Sequence, residues 1–216
     1  MSLAEITRLF LPVIICATLP AAAVAQGCKY SGAPEWNESV RSVIADCAAE
    51  FLSPDKHLLL KFSADGGISI EGKTVRLKRH RIEPPATVSW APTSKAFFVN
   101  DGEGSGMAST FRLFRVKGAK VLEDQTAEKA AVFFYRRRTH GSSSAADPNV
   151  YGFGWGDEGT KIYLLVQATV DEPCGPPYGF VSLVVQTTNG RILETLSEAQ
   201  TKERFGSLLP SSLFAP

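Results

Sequence analysis

Three histidines are the first residues to test for chemistry. His57 starts an apolar run, His80 lies within Lys78-Arg79-His80-Arg81, and His140 precedes Gly141-Ser142-Ser143-Ser144. None has a second histidine or a cysteine at metal-ligand spacing, so no metal site is expected. A serine nucleophile beside His140 would need the Gly-x-Ser-x-Gly elbow that lifts its hydroxyl out on a strained turn; the stretch reads instead as linker. The run Asp101-Gly102-Glu103-Gly104-Ser105-Gly106 fails as a dinucleotide loop, because a strand rather than a helix follows it. It fails as a calcium loop for want of carboxylates at alternate positions, and reads as a hairpin connection. No catalytic residue and no cofactor is assigned.

Binding chemistry has better candidates. Lys73 to Arg81 and Arg136-Arg137-Arg138 are clusters of cations, which bind carboxylate, phosphate or sulfate groups. Tyr151-Gly152-Phe153-Gly154-Trp155 is an aromatic, glycine-rich run able to line a groove. Arg136, Arg137, Arg138, Tyr151 and Trp155 are therefore the candidate partner-binding residues. The competing reading is a solvated strand edge, a helix C-terminus where cations are favoured anyway, and one face of a core strand.

The chain opens with Arg8, a short apolar run from Leu9 to Leu19 and small residues ending at Ala23-Val24-Ala25. That order predicts a secretory signal peptide over 1–25. The run carries Pro12 and Pro20 and is shorter than the roughly 20 apolar residues that span a bilayer, so a transmembrane anchor is not expected. The expected location is periplasmic or secreted, which removes nucleic acid from the partners considered. Losing Glu5 and Arg8 leaves the formal net charge at +1. Of four cysteines Cys16 leaves with the signal, so Cys28, Cys47 and Cys174 remain. In an oxidising compartment one pair should bridge; Cys28 with Cys47 is favoured, and Cys28 with Cys174 stays open.

The elements that must position these residues are mostly strands, with 44% hydrophobic residues to build one core. Residues 26–216 are read as one mainly-β domain. Trp36, Val40, Val43, Ile44, Cys47, Ala48 and Phe51 recur at helical spacing and predict a helix over about 34–52. Two stretches then repeat one pattern of four strands in meander order. The first runs through 88–90, 95–99, 111–116 and 120–123; the second through 153–155, 161–166, 180–185 and 191–194. A helix is expected after each. One is at Gln125 to Arg138, with Ala127, Ala130, Ala131 and Phe134 inward, though Val132 to Tyr135 also suits a strand. The other follows a capping box of Ser197 with Gln200. A degenerate earlier copy occupies Ser53 to Leu77.

Trp90-Ala91-Pro92-Thr93-Ser94-Lys95-Ala96-Phe97-Phe98-Val99 and Ser53-Pro54-Asp55-Lys56-His57-Leu58-Leu59-Leu60 resemble the blade signature of TolB-like β-propeller repeats. Only the earlier copy keeps Ser-Pro-Asp. The resemblance implies three antiparallel meander, blade-like units with accessory helices, and recognition of an envelope protein or peptide without catalytic residues. Propellers have about 4 to 8 blades. Three units therefore leave an incomplete ring capped by helices, a ring completed by a second copy, or an open α+β sheet arrangement. The expected function is an exported, non-enzymatic binding or scaffolding module, with a periplasmic hydrolase as the alternative class.

Overall fold

The computed structural model describes residues 40–43, 47–104, 108–138, 147–168 and 179–210. The expected signal peptide, Cys28, Cys174, His140 and the Gly141 to Ser144 stretch lie outside them.

Both predicted meanders form. The first is β6 (Ala86–Trp90), β7 (Ala96–Asp101), β8 (Thr110–Lys117) and β9 (Lys120–Asp124), each antiparallel to the next. It follows five shorter strands, β1 (Arg41–Val43), β2 (Ala49–Leu52), β3 (Leu59–Phe62), β4 (Ile68–Ile70) and β5 (Thr74–Arg76). The second is β10 (Asn149–Gly156), β11 (Lys161–Gln167), β12 (Phe180–Gln186) and β13 (Ile192–Leu196). Between them runs α1 (Thr126–Arg138), and α2 (Glu198–Phe205) follows the second. The Ser197 hydroxyl and Gln200 side chain cap α2 reciprocally, as their spacing requires.

The N-terminal helix expected over 34–52 is corrected by β1 and β2. Val40, Val43 and Phe51 sit at helical intervals, but β1 adds to the edge of β6, with Arg41 opposite Val88 and Val43 opposite Ala86. β2 pairs with β3 and turns Phe51 inward while Glu50 and Leu52 face out. The open edge of β6 and the partner strand β3 supply tertiary pairings that override a helical spacing, which is only a weak prior.

β2, β3 and β4 form a three-stranded sheet. The fourth strand of this early copy departs from it: β5 joins the far edge of the middle sheet, parallel to β9, giving the order β1-β6-β7-β8-β9-β5. β10 to β13 make the third sheet.

Because side chains alternate across a strand, the middle sheet buries both faces. Phe97, Val99, Phe114 and Val121 pack on Phe51, Leu60, Phe62 and Ile70 of the first sheet. Ala96, Phe98, Phe111 and Leu113 pack on Ile162, Leu164, Leu183 and Val185 of the third, with Ala127, Ala131 and Tyr135 of α1 wedged in. The outer face of the third sheet, with Phe153, Leu165 and Leu196, is closed by Phe205 of α2 and by Leu209. So α2 covers the face on which another sheet would stack, and the described residues form an open, capped stack and no closed barrel or propeller.

Sheet-to-sheet contact is repeated. Trp90, ending β6, donates its indole N–H to the Phe51 carbonyl on β2 at 3.2 Å; Trp155, near the end of β10, donates its own to the Ser89 hydroxyl on β6 at 3.2 Å. Each tryptophan thus ties its sheet to the first main strand of the sheet before it. Trp155 reaches inward because a bulge between Gly152 and Gly154 sets Phe153 and Gly154 toward the α2 side, restoring Trp155 to the inner face. Gly152 itself is a close approach: a Cβ there would lie 2.8 Å from the Phe111 ring. The buried Asn100 amide exploits that gap, accepting from the Gly152 N–H (2.6 Å) and donating to its carbonyl (2.8 Å).

Candidate functional site

Helix α1 begins where the Asp124 carboxylate accepts the Thr126 N–H at 2.9 Å, has Glu128 in its first turn, and ends on Arg136, Arg137 and Arg138. Acid at the N-terminus and base at the C-terminus both suit the helix dipole. Ala127, Ala131 and Tyr135 recur every four residues and face the core. That spacing leaves Phe133 outward and 62% exposed, an unusual position for a phenylalanine. Arg137, one turn on, lies with its guanidinium 5.7 Å from the Phe133 ring centroid, at cation–π distance.

Beside this face runs the edge strand β13. Its register slips by one residue at Val184/Val185, so Ile192 opposite Val185 and Thr195 opposite Leu183 share the side facing α1. Phe133, Phe134, Arg137, Arg138, Ile192 and Thr195 enclose a groove of about 580 Å3. Its floor is apolar and its rim carries two guanidinium groups.

Of the residues singled out from sequence, Arg137 and Arg138 line this groove. Arg136 forms an exposed ion pair with Asp147. Trp155 packs on Phe98 at 5.5 Å between centroids and is committed to the Ser89 contact. Tyr151 is half-buried against the α2-side cluster, and burial pushes its phenol above the ordinary range. Tyr151 thus faces the α2 side, whereas Trp155 shares with α1 the layer between the middle and third sheets. Cys28 and Cys174, the cysteines other than Cys47 in the expected pairings, lie outside the described residues. His57 and His80 are exposed. Among the described residues no group of three or more His, Cys, Asp or Glu is placed to hold a metal ion, and no helix is long and apolar enough to cross a membrane.

A second constellation was not legible in advance. Arg112 on β8, the largest fully buried side chain among the described residues, bridges Asp101 of β7 (Nη1 to Oδ2, 2.9 Å) and Glu123 of β9 (Nε to Oε1, 3.0 Å; Nη2 to Oε2, 3.1 Å). It also donates to the His80 carbonyl at 3.1 Å. Asp101 further accepts the Glu83 N–H, and Glu123 the Lys78 N–H at 2.6 Å. Arg79 extends the network to Glu128 on α1. Burial alone would raise the Glu123 carboxyl, but the hydrogen bonds from Arg112 and Lys78 and the Arg112 charge outweigh it and hold it below the usual range. At Glu128 burial wins over the pull of Arg79, and its carboxyl is raised. The one signal in the sequence was a charged residue at a core position of Phe111-Arg112-Leu113-Phe114. With every arm of Arg112 engaged, the network fastens strands and leaves no carboxylate free to act as acid or base.

In comparisons with known proteins, no family model, no curated protein and no solved structure matches the chain.

Proposed function

We propose that this chain is an exported, non-enzymatic binding module of the cell envelope, with the α1–β13 groove as its recognition surface. The observation that carries the reading is the exposed Phe133 stacked under Arg137 beside an apolar recess. Exposed aromatic and arginine side chains at a recess are the commonest anchors of protein interfaces. The partner that fits is a protein or peptide offering an apolar side chain flanked by carboxylates. Export is supported by the signal-like residues 1–25. We assign a bridge to Cys28 with Cys47, since structural disulfides persist in oxidising compartments. Kinship with TolB-like propeller repeats draws support from the stacked sheets and from the paired tryptophan contacts. A hydrolase finds less support, because the most deeply buried carboxylates are consumed by Arg112.

The test is photo-crosslinking in the host cell, with a benzophenone side chain at Phe133 or, as control, at the exposed Leu52. Discrete adducts from 133 that vanish on adding R137E/R138E, with none from 52, are expected. Adducts that ignore the charge reversal, or none from 133, refute the groove. Intact mass of the exported protein should show loss of residues 1–25 and one disulfide.

A further inference from the structure

A different surface, on the β8-β9-β5 end of the middle sheet, points to a second ligand class. The register sets Lys117 directly opposite Lys120, and Arg115 and Arg76 on either side of Leu122. Lys78 follows in the bend after β5, its N–H held by the Glu123 carboxylate at 2.6 Å. Arg76, Lys78, Arg115 and Lys117 line a depression of about 440 Å3 together with Leu77, Leu122 and the carboxylates of Glu123 and Asp124.

The acids nearby are spent: Asp124 on Arg115 and the Thr126 N–H, Glu123 on Arg112. Arg76, Lys78, Lys117 and Lys120 are exposed, and among the described residues their side-chain charges have no acidic partner. Like charges directly across a ladder destabilise it, so an occupant that neutralises Lys117 and Lys120 recovers a cost now built into the fold.

The cations stand at two levels along the strands, Lys117 with Lys120 and then Arg76 beside Leu122, with Lys78 in the bend beyond. These two levels are two residues apart, about 6.6 Å, which is also the spacing of same-face side chains in an extended peptide. We infer that this face binds an extended acidic segment of a protein partner, carrying carboxylates at alternate positions (acid-x-acid) with a further acid beyond them for Lys78. An anionic membrane fits less well, because among the described residues the exposed large apolar side chains, Leu52, Phe133 and Leu193, all lie elsewhere.

The experiment is fluorescence anisotropy of the full mature protein at low salt. The probes are a labelled Ser-Glu-Val-Glu-Val-Glu-Ser peptide, its isomer Ser-Val-Val-Glu-Glu-Glu-Ser, and vesicles containing anionic phospholipid. Alternating acids should bind at least tenfold tighter than contiguous ones. K117Q/K120Q should lose at least tenfold, R137E/R138E nothing, and K120Q alone should raise the low-salt Tm. Should K117Q/K120Q fail to fold, R76Q/K78Q must give the same loss. Equal binding of the two peptides, binding to vesicles but not to peptide, or folded variants with undiminished affinity would each overturn the assignment. Because R137E/R138E leaves this face intact, failure here is separable from failure of the α1–β13 groove.

Discussion

Replacing Arg112 by methionine isolates the buried network. Met approximates the volume of the arginine stem, so the loss is of charge and hydrogen bonds more than of packing. Four contacts of 2.9 to 3.1 Å disappear. Asp101 keeps the Glu83 N–H and Glu123 keeps the Lys78 N–H, so neither carboxylate is stripped bare. Breaking a buried pair costs about 3–5 kcal/mol, and the surviving donors place this case at about 3. At roughly 2–4 °C per kcal/mol for a domain of this size, Tm should fall by about 6–12 °C. The pH dependence follows from sign. In the native protein Glu123 is held below its ordinary range, so its contribution is present above the unfolded pKa and is lost as pH falls through the folded one. In the variant Glu123 loses the Arg112 hydrogen bonds and charge that hold it low, so burial favours its protonated form, and the deficit is largest at neutral pH and shrinks toward pH 4. Denaturant melts of both proteins between pH 4 and 7.5 measure this. Adding D101N and E123Q to R112M should recover more than about 1 kcal/mol at pH 7 by removing the stranded charges. A deficit below about 1 kcal/mol, or one constant with pH, refutes the assignment of the network as a strand fastener.

Two further outcomes probe the stacking. Trp155→Phe and Ser89→Ala should each cost about 1 kcal/mol in equilibrium unfolding and show coupling in a double-mutant cycle, because they remove two ends of one hydrogen bond. Gly152→Ala pushes a methyl to 2.8 Å from Phe111 and 3.0 Å from Phe98, and should cost about 1–3 kcal/mol by overpacking. A silent Gly152→Ala in thermal unfolding would mean that the second and third sheets are not in close contact there.

The meanders were legible because turn residues and alternating apolar strands are local signals: Trp90-Ala91-Pro92 and Trp155-Gly156-Asp157 mark equivalent corners. Helix α1 was legible too, from Ala127, Ala131 and the terminal arginines. What escaped is non-local. Residues 41–52 satisfy a helical pattern, and only the open edge of β6 and the partner strand β3 decide against it. β5 is three residues long, so nothing local reveals that it pairs with β9 some 45 positions on rather than with β4. The groove was half visible. Arg137 and Arg138 announce themselves, but Ile192 and Thr195 meet them only through a bulge some 55 residues later. Arg112 finds its carboxylates on two neighbouring strands, a pairing set by register and not by spacing.

Hydrogen–deuterium exchange of the mature protein, with and without detergent-solubilised envelope proteins of its host, confronts the recognition surface most directly. New protection over 133–138 and 192–195, abolished by R137E/R138E in a variant of unchanged Tm, is the predicted result. Unaltered exchange across those segments while another part of the chain becomes protected would contradict it.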